Sequence, residues 1–87
     1  MNYSATTKAT VQCNNTSIQP DNFSCIIIRN IGTDSAIING NIPLPPGRSY
    51  NFSNRPNVII SEQTDLRFLD MESDKKLLVE LRYFKPI

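Results

Sequence analysis

The side chains in this chain that could do chemistry are few and scattered. Histidine and tryptophan are absent. That excludes Ser–His–Asp and Cys–His nucleophilic catalysis. Cys13 and Cys25 are the only cysteines, too few to supply the usual four ligands of a structural zinc site. Asp70, Glu72 and Asp74 in "DMESD" have the alternate spacing of a calcium loop. An EF-hand loop needs glycine at its sixth position and glutamate at its twelfth. Lys75 and Leu81 stand there instead, so the run reads as a solvated turn that Lys75 and Lys76 neutralise. Paired carboxylates for glycoside hydrolysis need a cleft between them, and every acid falls in an apparent turn or on an outer face. The expectation is a non-enzyme, with no metal, no cofactor and no small-molecule substrate.

Bulk properties narrow the class further. Eighty-seven residues make one domain with a small core. Nine basic and eight acidic residues leave a net charge of +1. The basic residues are spread from Lys8 to Lys85 with acids among the later ones, whereas a nucleic-acid binder gathers its excess on one face. No apolar run approaches the ~20 residues of a membrane helix. Neither nucleic acid nor membrane is therefore expected as a partner. The opening "MNYSATTKATVQ" lacks the apolar region of a secretory signal, so the chain reads as made without export by the usual route. In that setting Cys25, which opens "CIIIRN", reads as a small buried hydrophobe and not as half of a bond to Cys13. The Asn-x-Ser/Thr sequons at Asn2, Asn14, Asn15, Asn22 and Asn51 then follow from composition alone.

The elements that would position these groups are short strands. Residues 1–22 read as an extended arm, with a strand in "TTKATVQC" and a polar loop in "NNTSIQPDN". Such an arm lies along the domain edge or pairs with a neighbour. Residues 23–87 read as a single β domain, with strand signals in "SCIIIRNI", "SAIIN", "NIPL", "RSYNFS", "NVIIS", "DLRFL" and "KKLLVELRYF". The last is the clearest, with Leu77, Val79, Leu81 and Tyr83 on one face and Leu78, Glu80, Arg82 and Phe84 on the other. Turn residues every ~8–12 positions favour an all-β fold, a small antiparallel sandwich or partly open barrel of about 6–7 short strands. A short helical turn near "FLDMESDKK" is the one alternative to strand. Tyr50, Phe52, Tyr83 and Phe84 are expected in the core. The face bearing Leu78 and Phe84 is either a second covered face or a packing patch for another subunit.

The stretch "INGNIPLPPGRSYNF" holds the strongest local signals. Pro43, Pro46 and Arg48 match the P-x-x-P-x-R pattern of SH3 ligands. Those ligands lie in flexible polyproline segments, and this stretch is wedged between strands. Asn39-Gly40 instead predicts a hairpin turn with positive φ at both central residues. Pro46-Gly47 predicts a second turn. Pro43 cannot donate to a ladder, so its short strand belongs at a sheet edge.

The segment 29–52, "RNIGTDSAIINGNIPLPPGRSYNF", resembles a pattern in small β-rich virion proteins of tailed bacteriophages. It falls on Asn30, Gly32, Thr33, Asn39, Gly40, Leu44, Pro46, Gly47, Ser49 and Phe52. An added residue, Asn41, and the doubled Pro45-Pro46 depart from the pattern. The resemblance implies a non-enzymatic structural protein of the virion, foremost an auxiliary (decoration) capsid protein, next a head–tail connector or tail component. The alternative class is a small β-sandwich binding module for glycan or protein. Implied partners are the major capsid protein or other virion proteins, with many copies in a larger assembly. The expected contact residues are Tyr3, Thr7 and Val11 on the arm, Ile42, Pro43, Leu44 and Pro45 on the proline edge, and Leu78 and Phe84 on the last strand.

Overall fold

A computed structural model describes residues 3–53, 59–69 and 74–86. The fold is all-β, with no helix among the described residues. Its strands are β1 (Tyr3–Gln12), β2 (Thr16–Ile18), β3 (Cys25–Asn30), β4 (Ala36–Ile38), β5 (Ile42–Leu44), β6 (Ser49–Ser53), β7 (Thr64–Phe68) and β8 (Leu77–Pro86). They form two four-stranded antiparallel sheets, ordered β1-β8-β3-β6 and β2-β7-β4-β5. Neither sheet closes into a barrel, so the sandwich reading holds.

Alternation sets the faces. In β7, Thr64, Leu66 and Phe68 are buried while Asp65 and Arg67 are exposed. In β3, Ile26, Ile28 and Asn30 point inward, and their partners on β8 are Leu81, Val79 and Leu77. Cross-strand partners share a face, so these rows pack together against Ile38, Leu44, Leu66 and Phe68 of the second sheet. Phe23 is fully buried and meets Tyr83 edge-to-face, with ring centroids 6.2 Å apart. Burying an aliphatic or Phe side chain is worth about 1.5–3 kcal/mol, so this compact set holds the sheets together.

Several expectations are corrected. The polar run read as a loop contains β2, which pairs with β7 through Thr16↔Leu66 and Ile18↔Thr64. In "NVIIS", Asn57 and Val58 lie outside the described residues and Ile59, Ile60 and Ser61 are not strand. Ile60 is nevertheless buried, its amide donating to Phe23 O at 2.8 Å. Of the four aromatics expected in the core, Tyr50 and Tyr83 pack against it. Phe52 stays 47% exposed on β6, an edge strand of the first sheet. Phe84 is half-buried and faces outward, in register with Ala5. The helical turn considered near residues 68–76 and the carboxylates Asp70 and Glu72 fall partly or wholly outside the described residues.

Both predicted turns form. Asn39 and Gly40 have φ of 54° and 77°, and Asn41 N donates to Ile38 O at 3.2 Å. Gly47 has φ of 82°, and Arg48 N donates to Pro45 O at 3.1 Å. Proline before a glycine of positive φ is the type II arrangement. Both cysteines are free, Cys13 exposed and Cys25 buried with its thiol 3.9 Å from Asn51 Oδ1.

Candidate interaction surface

The outer face of the first sheet gathers most of the arm and last-strand residues expected to make contacts. Val11 lies opposite Leu78, Thr7 opposite Arg82, Ala5 opposite Phe84 and Tyr3 opposite Pro86. The inner row of β1 is Ser4, Thr6, Lys8, Thr10 and Gln12, all polar. The outer row carries its aliphatic residues, Ala5, Ala9 and Val11. This inverts the usual pattern, in which the inner row is apolar. The reason is position: β1 lies outside β8 at the sheet edge, and Ser4 to Val11 are exposed on both faces. Val11, at 51% exposure, therefore sits beside half-buried Leu78, whose partner on β3 is Arg29.

The proline edge is a separate surface on the other sheet. β5 pairs only with β4, so Pro43 does stand on an edge strand. Pro43 and Pro45 are exposed. Leu44 is only 2% exposed and belongs to the core, and Ile42 packs against that core. Leu44 is therefore removed from the set of contact residues. Its inward position follows from the Ala36↔Leu44 pairing, since Ala36 is itself buried.

The Asn30–Asp34 segment is a structural latch. Asn30 is buried, and its Nδ2 donates to Asp34 O at 2.7 Å and to Leu44 O at 2.9 Å. Its Oδ1 accepts from Gly32 N at 3.1 Å. Its backbone amide donates to Arg48 O, and its carbonyl accepts from Gly47 N. One asparagine thus joins β3 of the first sheet to the end of β5 in the second. Gly32 runs so close to the chain near β8 that a Cβ there would overlap Asp74 O and lie 2.7 Å from Lys76 N. Thr33 Oγ1 accepts from Asp74 N at 2.9 Å. The Asp74 carboxylate is exposed and 3.4 Å from Lys76 Nζ. Within the same loop Asp34 is buried, and among the described residues neither of its carboxylate oxygens has a hydrogen-bond partner.

A polar concavity, missed in the sequence, opens on the outer face of the second sheet. It encloses about 470 Å³ beside Asn15, Ser17, Ile37, Asn39, Asp65 and Arg67. Asn39 and Asp65 exchange bonds: Asn39 N donates to Asp65 O at 2.9 Å, and Asp65 N donates to Asn39 Oδ1 at 2.8 Å. Asn15 Oδ1 accepts from Phe68 N at 2.8 Å. The Asp65 carboxylate accepts from Gln63 at 2.6 Å and from Ser17 at 2.7 Å. Those two bonds, with a smaller contribution from the Arg67 charge, hold its pKa below the usual value. On the inner side, burial, then the nearby Asp21 carboxylate, push the Tyr83 hydroxyl upward. The polar groups of the cleft come from three separate segments, so no local pattern announces it. Among the described residues no cluster of three potential metal ligands occurs.

No family model matches the chain, and no curated protein or solved structure matches it.

Proposed function

We propose that this chain is a non-enzymatic structural protein that works by assembly, as an auxiliary protein of a tailed-phage particle. It would bind the major capsid protein or another virion protein in many copies, stiffening the shell through added buried surface. The observation that carries the reading is the exposed outer row of β1, with Val11 set beside Leu78 and Ala5 beside Phe84. Apolar side chains exposed on an edge strand are suited to contact with a neighbouring subunit. Location in a connector or tail uses the same surface.

The test is direct. Gel analysis of purified virions should show a 9.8 kDa band at high copy. Particle reconstruction should then place it on the shell, connector or tail. Absence of the band from particles overturns the proposal.

A second reading has one observation in its favour, the polar cleft around Asp65 and Asn39. A small binding module would use it for a glycan or a polar peptide segment. Retention on a glycan array, lost in Asp65→Ala, would favour that reading.

A further inference from the structure

We propose that β1 is a self-pairing strand. Two copies join antiparallel along their β1 edges about a two-fold axis at Thr7, making one continuous eight-stranded sheet.

The sheet edges differ sharply. β2 and β5 have three residues each, and β5 contains Pro43. β6 has five. β1 has ten, contains no proline, and pairs with β8 residue for residue without a bulge. Native proteins shorten, charge or interrupt edges that must stay single. β1 carries only one charge, Lys8.

The ladder fixes which groups face outward. Ile31 N donates to Lys76 O, and Asn30 N donates to Arg48 O. Hydrogen-bonding direction alternates along an antiparallel strand. Leu77, Val79 and Leu81 therefore turn their backbone groups toward β1, and Gln12, Thr10 and Lys8 answer them. The backbone N–H and C=O groups of Tyr3, Ala5, Thr7, Ala9 and Val11 are left at the free edge.

A two-fold axis normal to the sheet must pair odd residues with odd residues. Centred on Lys8, it sets Lys8 opposite Lys8, which is unfavourable. Centred on Thr7, it pairs Thr7 with Thr7, Ala5 with Ala9 and Tyr3 with Val11, and sets Lys8 opposite Thr6. Five hydrogen-bonded residue pairs give about ten bonds, the number of a standard interface. The edge is thus complementary to itself in register and in charge. Pairing β1 with β6 of another copy would cover only half of it.

The end of the β1–β8 pair needs such a partner. β3 reaches β8 only as far as Arg82, so residues 3–6 and 83–86 continue as a two-stranded ribbon. A two-stranded ribbon is marginal in water. In the Thr7-centred dimer, residues 3–6 of each copy lie against residues 8–11 of the other.

The experiment is sedimentation of the full chain at micromolar to millimolar concentration. The expected species is a closed dimer of about twice the 9.8 kDa monomer mass. Thr7→Pro removes an outward N–H and no bond to β8, so it should yield a folded monomer by circular dichroism. Thr7→Lys, which sets two charges face to face, should do the same if the proline variant fails to fold. Thr6→Glu should tighten the dimer by about 2- to 30-fold, through two new Glu–Lys pairs. A monomeric wild type, open-ended growth, or a Thr7→Lys dimer of unchanged affinity each overturns the proposal. The inference does not rest on the virion reading. A solution dimer absent from particles leaves it standing, and a virion protein that is monomeric when free sinks it alone.

Discussion

The side-chain amide of Asn30 donates to the carbonyl of Leu44 at 2.9 Å, across the gap between the two sheets. Asn30 ends β3 and Leu44 ends β5, so this bond joins the last residues of strands in different layers. Replacing Asn30 with Ala leaves the Asp34 and Leu44 carbonyls short of a partner, while Gly32 N keeps its bond to Lys76 O. A buried polar group left unpaired costs about 1–3 kcal/mol. Asn30→Ala should therefore lose roughly 2 kcal/mol or more in urea unfolding. A loss below ~0.5 kcal/mol would show that water replaces the side chain.

Gly32 should tolerate nothing larger. A methyl group there meets the backbone at Asp74 and Lys76, which cannot swing away as a side chain would. Gly32→Ala should cost about 2–4 kcal/mol, at the upper end for overpacking. Thermal melting decides it. A melting temperature unchanged within a degree would mean that the loop at Gly32 shifts freely.

Asp34 behaves oppositely. Its carboxylate is buried with no hydrogen-bond partner among the described residues, a costly arrangement for a charge. Asp34→Asn should hold stability at pH 7 or raise it by up to about 2 kcal/mol. A loss above ~1 kcal/mol would mean that the carboxylate is held by a partner in solution.

The Asp65 bonds predict an acid response. The folded pKa lies below the unfolded one, so the folded state binds fewer protons across the interval between them. The carboxylate therefore stabilises the fold above the ordinary value of 3.8, and that contribution disappears as pH falls through the folded value. Asp65→Asn should flatten the stability curve below about pH 4 and leave its shape above pH 6 unchanged. Unfolding followed from pH 2 to 7 tests this. An acid limb identical to wild type rejects the role.

The proline edge yields a contrasting pair. Leu44→Ala empties a core position and should cost about 2–5 kcal/mol. Pro43→Ala, on an exposed edge position, should stay within about 1 kcal/mol. If this edge touches a virion neighbour, Pro43→Ala also lowers incorporation while the free protein keeps its stability. Equal stability losses for the two variants would contradict the burial difference.

Local chemistry was enough to read both turns. Asn39-Gly40 needs positive φ twice and Pro46-Gly47 needs it once, and few other residues meet those needs. Period-2 alternation likewise separated the Leu77 face from the Leu78 face before any packing was known. The turn letters of residues 29–52 were visible in the same way, but their role was not. Asn30, Gly32 and Thr33 read as turn letters, and their partners Leu44, Asp74 and Lys76 are distant in sequence.

Tertiary structure decided the rest because it depends on which strands become neighbours. A strand of Tyr, Thr, Ala and Val residues is extended wherever it lies, and only placement outside β8 leaves both faces of β1 exposed. Leu44 and Pro43 are adjacent in sequence, yet one enters the core and the other meets solvent, because pairing with Ala36 fixes the register. The cleft at Asp65 exists only where Asn15, Asn39 and β7 converge. Side-chain type set the period and the turns, while long-range pairing, cooperative over the whole core, chose the faces and the edges.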